Sequence, residues 1–228
     1  MSRGWLIVFA KAPRPGLVKT RMSPPLSLDQ ATGLYEAMLA DVLQASARFA
    51  AEFDLEPVLA FHPPDAVGEM LGRAPSVFRL QIQKGLGLAE RMANAFAEAS
   101  AGGAPFALLR GSDSPGLEAA HIEAATLQLL QGADVVFTPD RGGGYAMVGQ
   151  RSADARIFDV PMSTHDMLDR TVALCHDLGL AVEQTKPTFD LDQIEDLRLV
   201  DRLPKEGSSD LCPRTVETIA ELRKRSVL

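Results

Sequence analysis

The chain has 228 residues, with 23 basic and 30 acidic side chains for a net charge of −7, 46% hydrophobic residues and two cysteines. That length supports one sizeable core, and ordinary apolar and charged fractions exclude disordered, coiled-coil and fibrous classes. The acidic balance argues against nucleic acid as a partner, because phosphate contacts need clustered Lys and Arg, and Cys175 and Cys212 are too few for a disulfide framework or a zinc ribbon.

Taken in chain order, Arg3 precedes the apolar run Trp5–Ala10, which is shorter than the roughly 7–15 residues of a signal-peptide core. No segment approaches the ~18 consecutive apolar residues of a membrane helix. A cytoplasmic protein with two free thiols, away from membranes, is expected. Trp5–Ala10, bounded by Gly4 and Lys11, reads as a strand buried on both faces. Ser27 reads as an N-cap for a helix whose apolar positions include Ala31, Leu34, Tyr35, Met38, Leu39 and Val42. Pro57–Phe61 is a second strand, ended by His62-Pro63-Pro64, and Val77–Ile82 a third. Leu88–Ala99 reads as a helix, Phe106–Leu109 as a buried strand, Leu117–Leu130 as a helix and Asp134–Thr138 as a strand. Tyr145–Val148 follows a triple glycine. Ser163 is placed as the cap of a helix running to about Leu178, and Leu180–Thr185 as a strand. Two helical patterns occupy the last 35 residues.

Strands alternating with helices predict a single α/β domain over residues 1–228, with a mostly parallel central sheet and helices on both faces. Leu203–Pro213 is the one loop-like stretch able to tether a detachable piece, and a C-terminal helical extension is expected over about 204–228. Ligands of such sheets bind outside the carboxyl ends of the strands. That rule singles out Lys11–Arg21, His62, Gly111–Gly116 and Pro139–Tyr145.

The first of these loops is unusually cationic. Residues 1–28 hold Arg3, Lys11, Arg14, Lys19 and Arg21 without a single acid, so the rest of the chain carries −12. In Lys11–Arg21, Pro13, Pro15 and Gly16 impose an irregular backbone, and Lys11, Lys19 and Arg21 are candidates to converge on phosphates. Neither a Walker A loop nor a GxGxxG fingerprint is present, since Gly85-Leu86-Gly87 lacks the third glycine. In LLRGSDSPG, Leu108–Gly116, two roles stay open for Asp113: ligand of a divalent cation on a diphosphate, or cap of a helix starting near Gly116. In FDLDQIED, Phe189–Asp196, Asp190 and Asp192 would share a face if extended. One of them could complete a site with Asp113, while Asp192 with Glu195 also fits a capping box. Gly142-Gly143-Gly144 suits either close approach to a ligand or a tight hairpin. The four histidines at 62, 121, 165 and 176 show no metal-ligand spacing. No GxSxG elbow or Cys–His signature points to a nucleophilic hydrolase.

Together, FAKAPRPGLVKTR, GLGLAERM, GSDSPGL, GGGYAMVG and DLDQIEDL, in that order over roughly residues 5–200, resemble a bacterial family of glycosyltransferase-A-like proteins of largely unassigned function. Some of its members are labelled arsenosugar-biosynthesis-type glycosyltransferases, and it is more distantly related to the guanylyltransferases of molybdopterin and phospholactate. The KAPxPGxVKTR string is specific, and the others are weaker alone. The resemblance implies a nucleotide-diphospho-sugar transferase fold with a Mg²⁺- or Mn²⁺-assisted nucleotide site. It places Ala10, Lys11, Pro13, Gly16, Lys19, Arg21, Gln83, Gly85, Arg91, Gly111 and Ser112 at the nucleotide. Glu90 falls in the same stretch as Arg91. Lys19 and Asp113 are the implied catalytic residues, and Asp113, Asp190 and Asp192 the implied metal ligands. Asp140, Gly143, Gly144 and Tyr145 would face the sugar or acceptor.

The chain departs from the family pattern where Asp-Gly-Gly-Tyr is replaced by Gly142-Gly143-Gly144-Tyr145, with Asp140 as the available substitute acid. It departs again where Trp-Ser-Thr becomes Met162-Ser163-Thr164. The expected partners are a nucleotide or nucleotide sugar and a small-molecule acceptor. The leading expectation is a glycosyltransferase, with a nucleotidylyltransferase releasing pyrophosphate and a catalytically degenerate nucleotide binder as alternatives.

Overall fold

In the run Trp5–Lys11 every residue but the last is buried, so this strand, β1, needs cover on both faces and both edges. A computed structural model of the protein, describing residues 3–162, 164–201 and 211–225, provides both. β1 pairs in parallel with β2 (Glu56–His62) on one edge and β4 (Ala107–Gly111) on the other. Among the described residues the sheet has seven strands in the order β3-β2-β1-β4-β6-β5-β7, adding β3 (Arg79–Ile82), β5 (Val135–Pro139), β6 (Tyr145–Gln150) and β7 (Val182–Gln184). Only β6 runs antiparallel to its neighbours β4 and β5, which puts its first residue, Tyr145, at the edge where β1 and β4 end.

Alternation along the strands assigns the faces. Trp5, Ile7 and Phe9 pack with α3 (Leu88–Ala101), with the short helical turn Ala155–Phe158 and with α5 (Met167–Asp177). Leu6 and Val8 point the other way, toward α1 (Leu28–Glu52), α2 (Val67–Leu71) and α4 (Ala119–Leu130). A further core lies on the outer side of α1. There Leu34 and Met38 meet Met22, Leu191, Leu197 of α6 (Leu197–Val200), and Ile219 and Leu222 of α7 (Pro213–Lys224). Buried Asp41 of α1 fastens α7 by accepting the Thr215 amide and hydroxyl, each at 2.8 Å. Among the described residues no helix is long and apolar enough to cross a membrane.

Several boundaries differ from the sequence expectations. The third strand begins at Arg79 rather than Val77, because Val77 is solvent-exposed in a turn. The helix after the GSDSPG loop starts at Ala119 with Glu118 as its N-cap, so Asp113 is not the cap of that helix. Ser163 lies outside the described residues, and α5 begins only at Met167, after Asp166. Residues 189–193 form no strand. The short helix beyond them is capped by Gln193 with Asp196, which leaves Asp192 and Glu195 out of the capping box. The expected C-terminal extension is described only from residue 211, where α7 packs against α1.

Candidate active site

At the end of β1 the backbone is pinned by a side chain from the opposite layer. Tyr35 of α1 accepts the Lys11 amide at 3.0 Å and donates to the Lys11 carbonyl at 3.2 Å, with Ser112 Oγ 2.8 Å away. One buried phenol therefore joins the loops following β1 and β4. Burial, reinforced by the charge of Asp113, pushes this hydroxyl up to about 12, so it stays protonated and donating.

Lys19 is the centre of the site's electrostatics. It takes a left-handed backbone, φ 47, which non-glycine residues adopt rarely. Its side chain is only 3% exposed, and Nζ forms ion pairs with Asp113 and with Asp192 Oδ1, the latter at 3.0 Å. Burial alone would depress the ammonium, but the two carboxylates outweigh it and hold Lys19 above the ordinary lysine value. Beside this triad, Asp190 accepts a hydrogen bond from Ser114 Oγ. Burial, with the neighbouring charge of Asp113, pushes its carboxyl up to about 7.

Below them lies the fully buried Arg110, which donates to the Ser114 carbonyl at 2.6 Å and to Ser46 Oγ at 3.3 Å. Burial lowers its guanidinium to about 10. Ser114 thus connects a buried cation to Asp190, and the backbone of the GSDSPG loop is held from beneath. The Leu191 amide ties the two acidic segments by donating to the Asp113 carbonyl at 2.9 Å.

Lys19, Tyr35, Ser112, Asp113, Asp190 and Asp192 face a cavity of about 630 Å³. The loop after β1 lines it with Lys11, Lys19, Thr20 and Arg21, and the stretch after β3 with Gln83, Leu86 and Arg91. Gln83 is fixed through its amide nitrogen to the Ala10 and Ala60 carbonyls at 3.2 and 2.9 Å. Arg91 donates to the Gly85 and Leu86 carbonyls, and Glu90 accepts the Leu86 amide at 2.8 Å. The end of β4 supplies Gly111, Ser112 and Asp113, and Asp190 and Asp192 stand behind. On the β6 side the wall is Tyr145, Ala146, Met162 and Met167, with no cation among the described lining residues.

The structure therefore brings Ala10, Lys11, Lys19, Arg21, Gln83, Arg91, Gly111, Ser112, Asp113, Tyr145, Asp190 and Asp192 to one cavity. Pro13, Gly16, Gly85, Asp140, Gly143 and Gly144 are not in its wall. Between buried Pro13 and exposed Gly16, Arg14 pairs with Glu69 and, at 2.9 Å, with Asp65. The triple glycine is the hairpin turn joining β5 to β6, and two of its amides are engaged. Gly142 N and Gly144 N donate to Asp140 Oδ1 at 2.5 and 3.1 Å, so Asp140 is used as the brace of the turn.

Tyr35, Arg110 and Met167 are among the contributors to which the sequence alone assigns no site role. Tyr35 counted there only as a core position. Arg110 carries a visible signal, a charge inside an apolar strand (ALLRG), and Met167 carries none.

For a divalent cation the donor chemistry is specific. Among the described residues no three His, Cys, Asp or Glu side chains form a set that could hold a metal ion, so a closed protein cage is absent. Asp113 and Asp192 nevertheless converge on a single cationic point, Lys19 Nζ. Mg²⁺ and Mn²⁺ commonly take one or two carboxylates and complete their shell with phosphate and water oxygens. The pair fits an ion of that kind, held jointly with a phosphorylated ligand.

The fold is similar to solved structures over nearly its whole length. One is a Desulfovibrio desulfuricans G20 protein provisionally named a nucleotide-diphospho-sugar transferase, with 28% identity, TM-score 0.87, and coverage of 98% of this chain and 96% of that one. A cytidylyltransferase from Leptospira borgpetersenii shares 11% identity at TM-score 0.58, covering 100% of this chain and 97% of its own. Glucosyl-3-phosphoglycerate synthase from Mycobacterium tuberculosis, solved with Mn²⁺, UDP and phosphoglyceric acid, shares 13% identity at TM-score 0.52, covering 93% and 78%. At these low identities the last two speak for the fold alone, which is that of nucleotide-diphospho-sugar transferases. No curated protein matches the chain, and none of these relatives bears on an arsenosugar substrate. A family match over residues 44–164, more than half the chain, completes the comparison: the protein belongs to DUF2064, the family described as an uncharacterized protein conserved in bacteria.

Proposed function

We propose that this protein is a transferase that binds a nucleotide-activated sugar and passes the sugar to a hydroxyl acceptor. The observation carrying this reading is the polarity of the cavity. Lys11, Lys19, Arg21 and Arg91 line it with Asp113, Asp190 and Asp192, Lys19 being paired to Asp113 and Asp192, whereas Tyr145, Ala146, Met162 and Met167 add an uncharged stretch of wall. A diphosphate set against the cations would find fixed positive charge where negative charge grows as the donor's anomeric C–O bond breaks. Preorganised cations of this kind need no rearrangement during the step. A divalent ion held by Asp113 and Asp192, when bound, supplies further neutralisation of the diphosphate. The acceptor oxygen forms the new bond to the anomeric carbon and loses its proton, and the nucleoside diphosphate departs.

The second reading, nucleotidyl transfer, rests on the fold shared with the cytidylyltransferase. It asks the acceptor to arrive as a phosphate. Beside Tyr145, Ala146, Met162 and Met167 such a phosphate would find no charged side chain among those four, whereas a hydroxyl acceptor needs none there. This asymmetry favours glycosyl transfer.

The deciding experiment is a thermal-shift panel of nucleoside diphosphates, triphosphates and nucleotide sugars, each with and without Mn²⁺. A ligand at a thousand times its Kd should add about 4 kcal/mol of stability, and the shift is expected to require both nucleotide and metal. The best ligand then enters a product assay. Release of nucleoside diphosphate supports glycosyl transfer, release of pyrophosphate supports the second reading, and a flat panel overturns both.

A further inference from the structure

We infer that Lys19 is the resident counter-ion of the site, which a divalent cation must displace from Asp113 and Asp192 before it can bind; the inference rests on the nucleotide-transferase reading. A lysine whose purpose was only to reach a phosphate would extend into the open cavity, as exposed Lys11 does. Lys11 Nζ has one described contact, a marginal 3.5 Å to the Leu17 carbonyl. Lys19 does the opposite. Its side chain is withdrawn to 3% exposure, although Asp113 and Asp192 are themselves 42% and 46% exposed. The cation is therefore the enclosed partner, and the anions face the solvent from which a metal would arrive.

The backbone is set for this arrangement. Lys19 sits in the left-handed region at the start of the short helical turn Thr20–Met22. At the end of that turn Met22 is fully buried in the core shared by α1 and α7. Asp113 and Asp192 are held in turn by the bond from the Leu191 amide to the Asp113 carbonyl. Two carboxylates fixed about one ammonium form a preorganised anionic pair already neutralised from within.

Charge balance gives the consequence. In the free protein one lysine and two carboxylates sum to −1, and a dipositive ion would have to enter beside an ammonium occupying the same coordinating oxygens. With a diphosphate in the cavity, the ammonium gains an alternative set of oxygens and the carboxylates become available to the metal. Lys19 would thus couple the two ligands: metal alone is excluded, and metal with diphosphate is accepted. The design suits an enzyme whose ion arrives with its nucleotide.

The test reads metal binding directly, without turnover. Free Mn²⁺ is titrated by electron paramagnetic resonance against the parent protein, Lys19→Met and the double variant Lys19→Met/Asp113→Asn, with no nucleotide present. Methionine fills the buried stem of the lysine without its charge, and Lys19→Gln serves as a second variant if Lys19→Met does not fold by circular dichroism. The expected result is Mn²⁺ binding at least tenfold tighter in Lys19→Met than in the parent, lost again in the double variant. Binding no tighter than the parent's overturns the inference, as does tighter binding that survives Asp113→Asn. The two failures are separable. If Lys19→Met gains nothing while the parent still shows a metal-dependent nucleotide shift, the exchange falls and the transferase reading stands. If the nucleotide panel is also flat, both fall.

Discussion

Gly143 and Gly16 share a left-handed backbone, φ +87 and +80, but not a neighbourhood. A β-carbon built on Gly143 would lie 1.7 Å from the His165 carbonyl oxygen, whereas one on Gly16 would meet nothing within 4 Å. The obstacle at Gly143 is backbone, so no rotamer change relieves it. The hairpin turn would also have to part from the segment leading into α5, where the Leu168 amide donates to the Gly143 carbonyl at 3.0 Å. Gly143→Ala is therefore expected to cost at least about 2 kcal/mol, the scale of a strained backbone together with a disrupted contact. Gly16→Ala should cost only about 1 kcal/mol, the left-handed penalty alone. Urea unfolding of the two variants side by side checks this, and equal losses would show that the loop at His165 yields freely. The same contrast explains what the sequence could convey at this scale. That GGGY marks a turn is visible in the letters. That Asp140 braces the turn through the Gly142 and Gly144 amides depends on a carboxylate folding back over the residues that follow it.

At the scale of elements, the first helix shows how far local signals reach. Ser27 and Gln30 form a reciprocal capping box, Gln30 N to Ser27 Oγ at 3.1 Å and Ser27 N to Gln30 Oε1 at 2.8 Å, and the helix starts at the residue the cap dictates. Ser27→Ala should cost about 1 kcal/mol, or a fall of about 2–4 °C in Tm. No change would mean that tertiary packing alone fixes this end. Strand and helix identities were legible for the same reason, because buried parallel strands are short apolar runs between turn residues. Where the reading slipped, tertiary partners decided. Asp190 and Asp192 look like alternate residues of a strand. Instead Asp190 is drawn to Ser114 and Asp192 to Lys19, contacts spanning 76 and 173 residues of sequence that no local pattern encodes. The cations of the first loop divide likewise. Lys11, Lys19 and Arg21 face the cavity, while Arg14 is held outward by Glu69 and Asp65, acids that lie more than 50 residues further on.

At the scale of the whole molecule, the site is supported by a core that does not touch its ligand space. Met22, one residue beyond Arg21, and Leu191, between Asp190 and Asp192, are both fully buried in the cluster that α7 closes with Ile219 and Leu222. The C-terminal helix is thus the rear wall of both charged loops, although it contributes nothing to the cavity lining. Ile219→Ala should remove about 2–4 kcal/mol through lost burial and the cavity left behind, a fall of about 4–16 °C in Tm for a chain of this size. A merely structural role would stop there. Because Leu191 positions the backbone that carries Asp190 and Asp192, and its amide holds the Asp113 carbonyl, loosening this cluster should also weaken metal-dependent nucleotide binding. At least a threefold loss of affinity is expected at a temperature where Ile219→Ala is still fully folded. A surface control on the same helix, Glu217→Ala, should leave affinity at the parent value. If Ile219→Ala lowers Tm but binds nucleotide and Mn²⁺ as the parent does, the charged loops hold their own geometry and α7 serves stability alone.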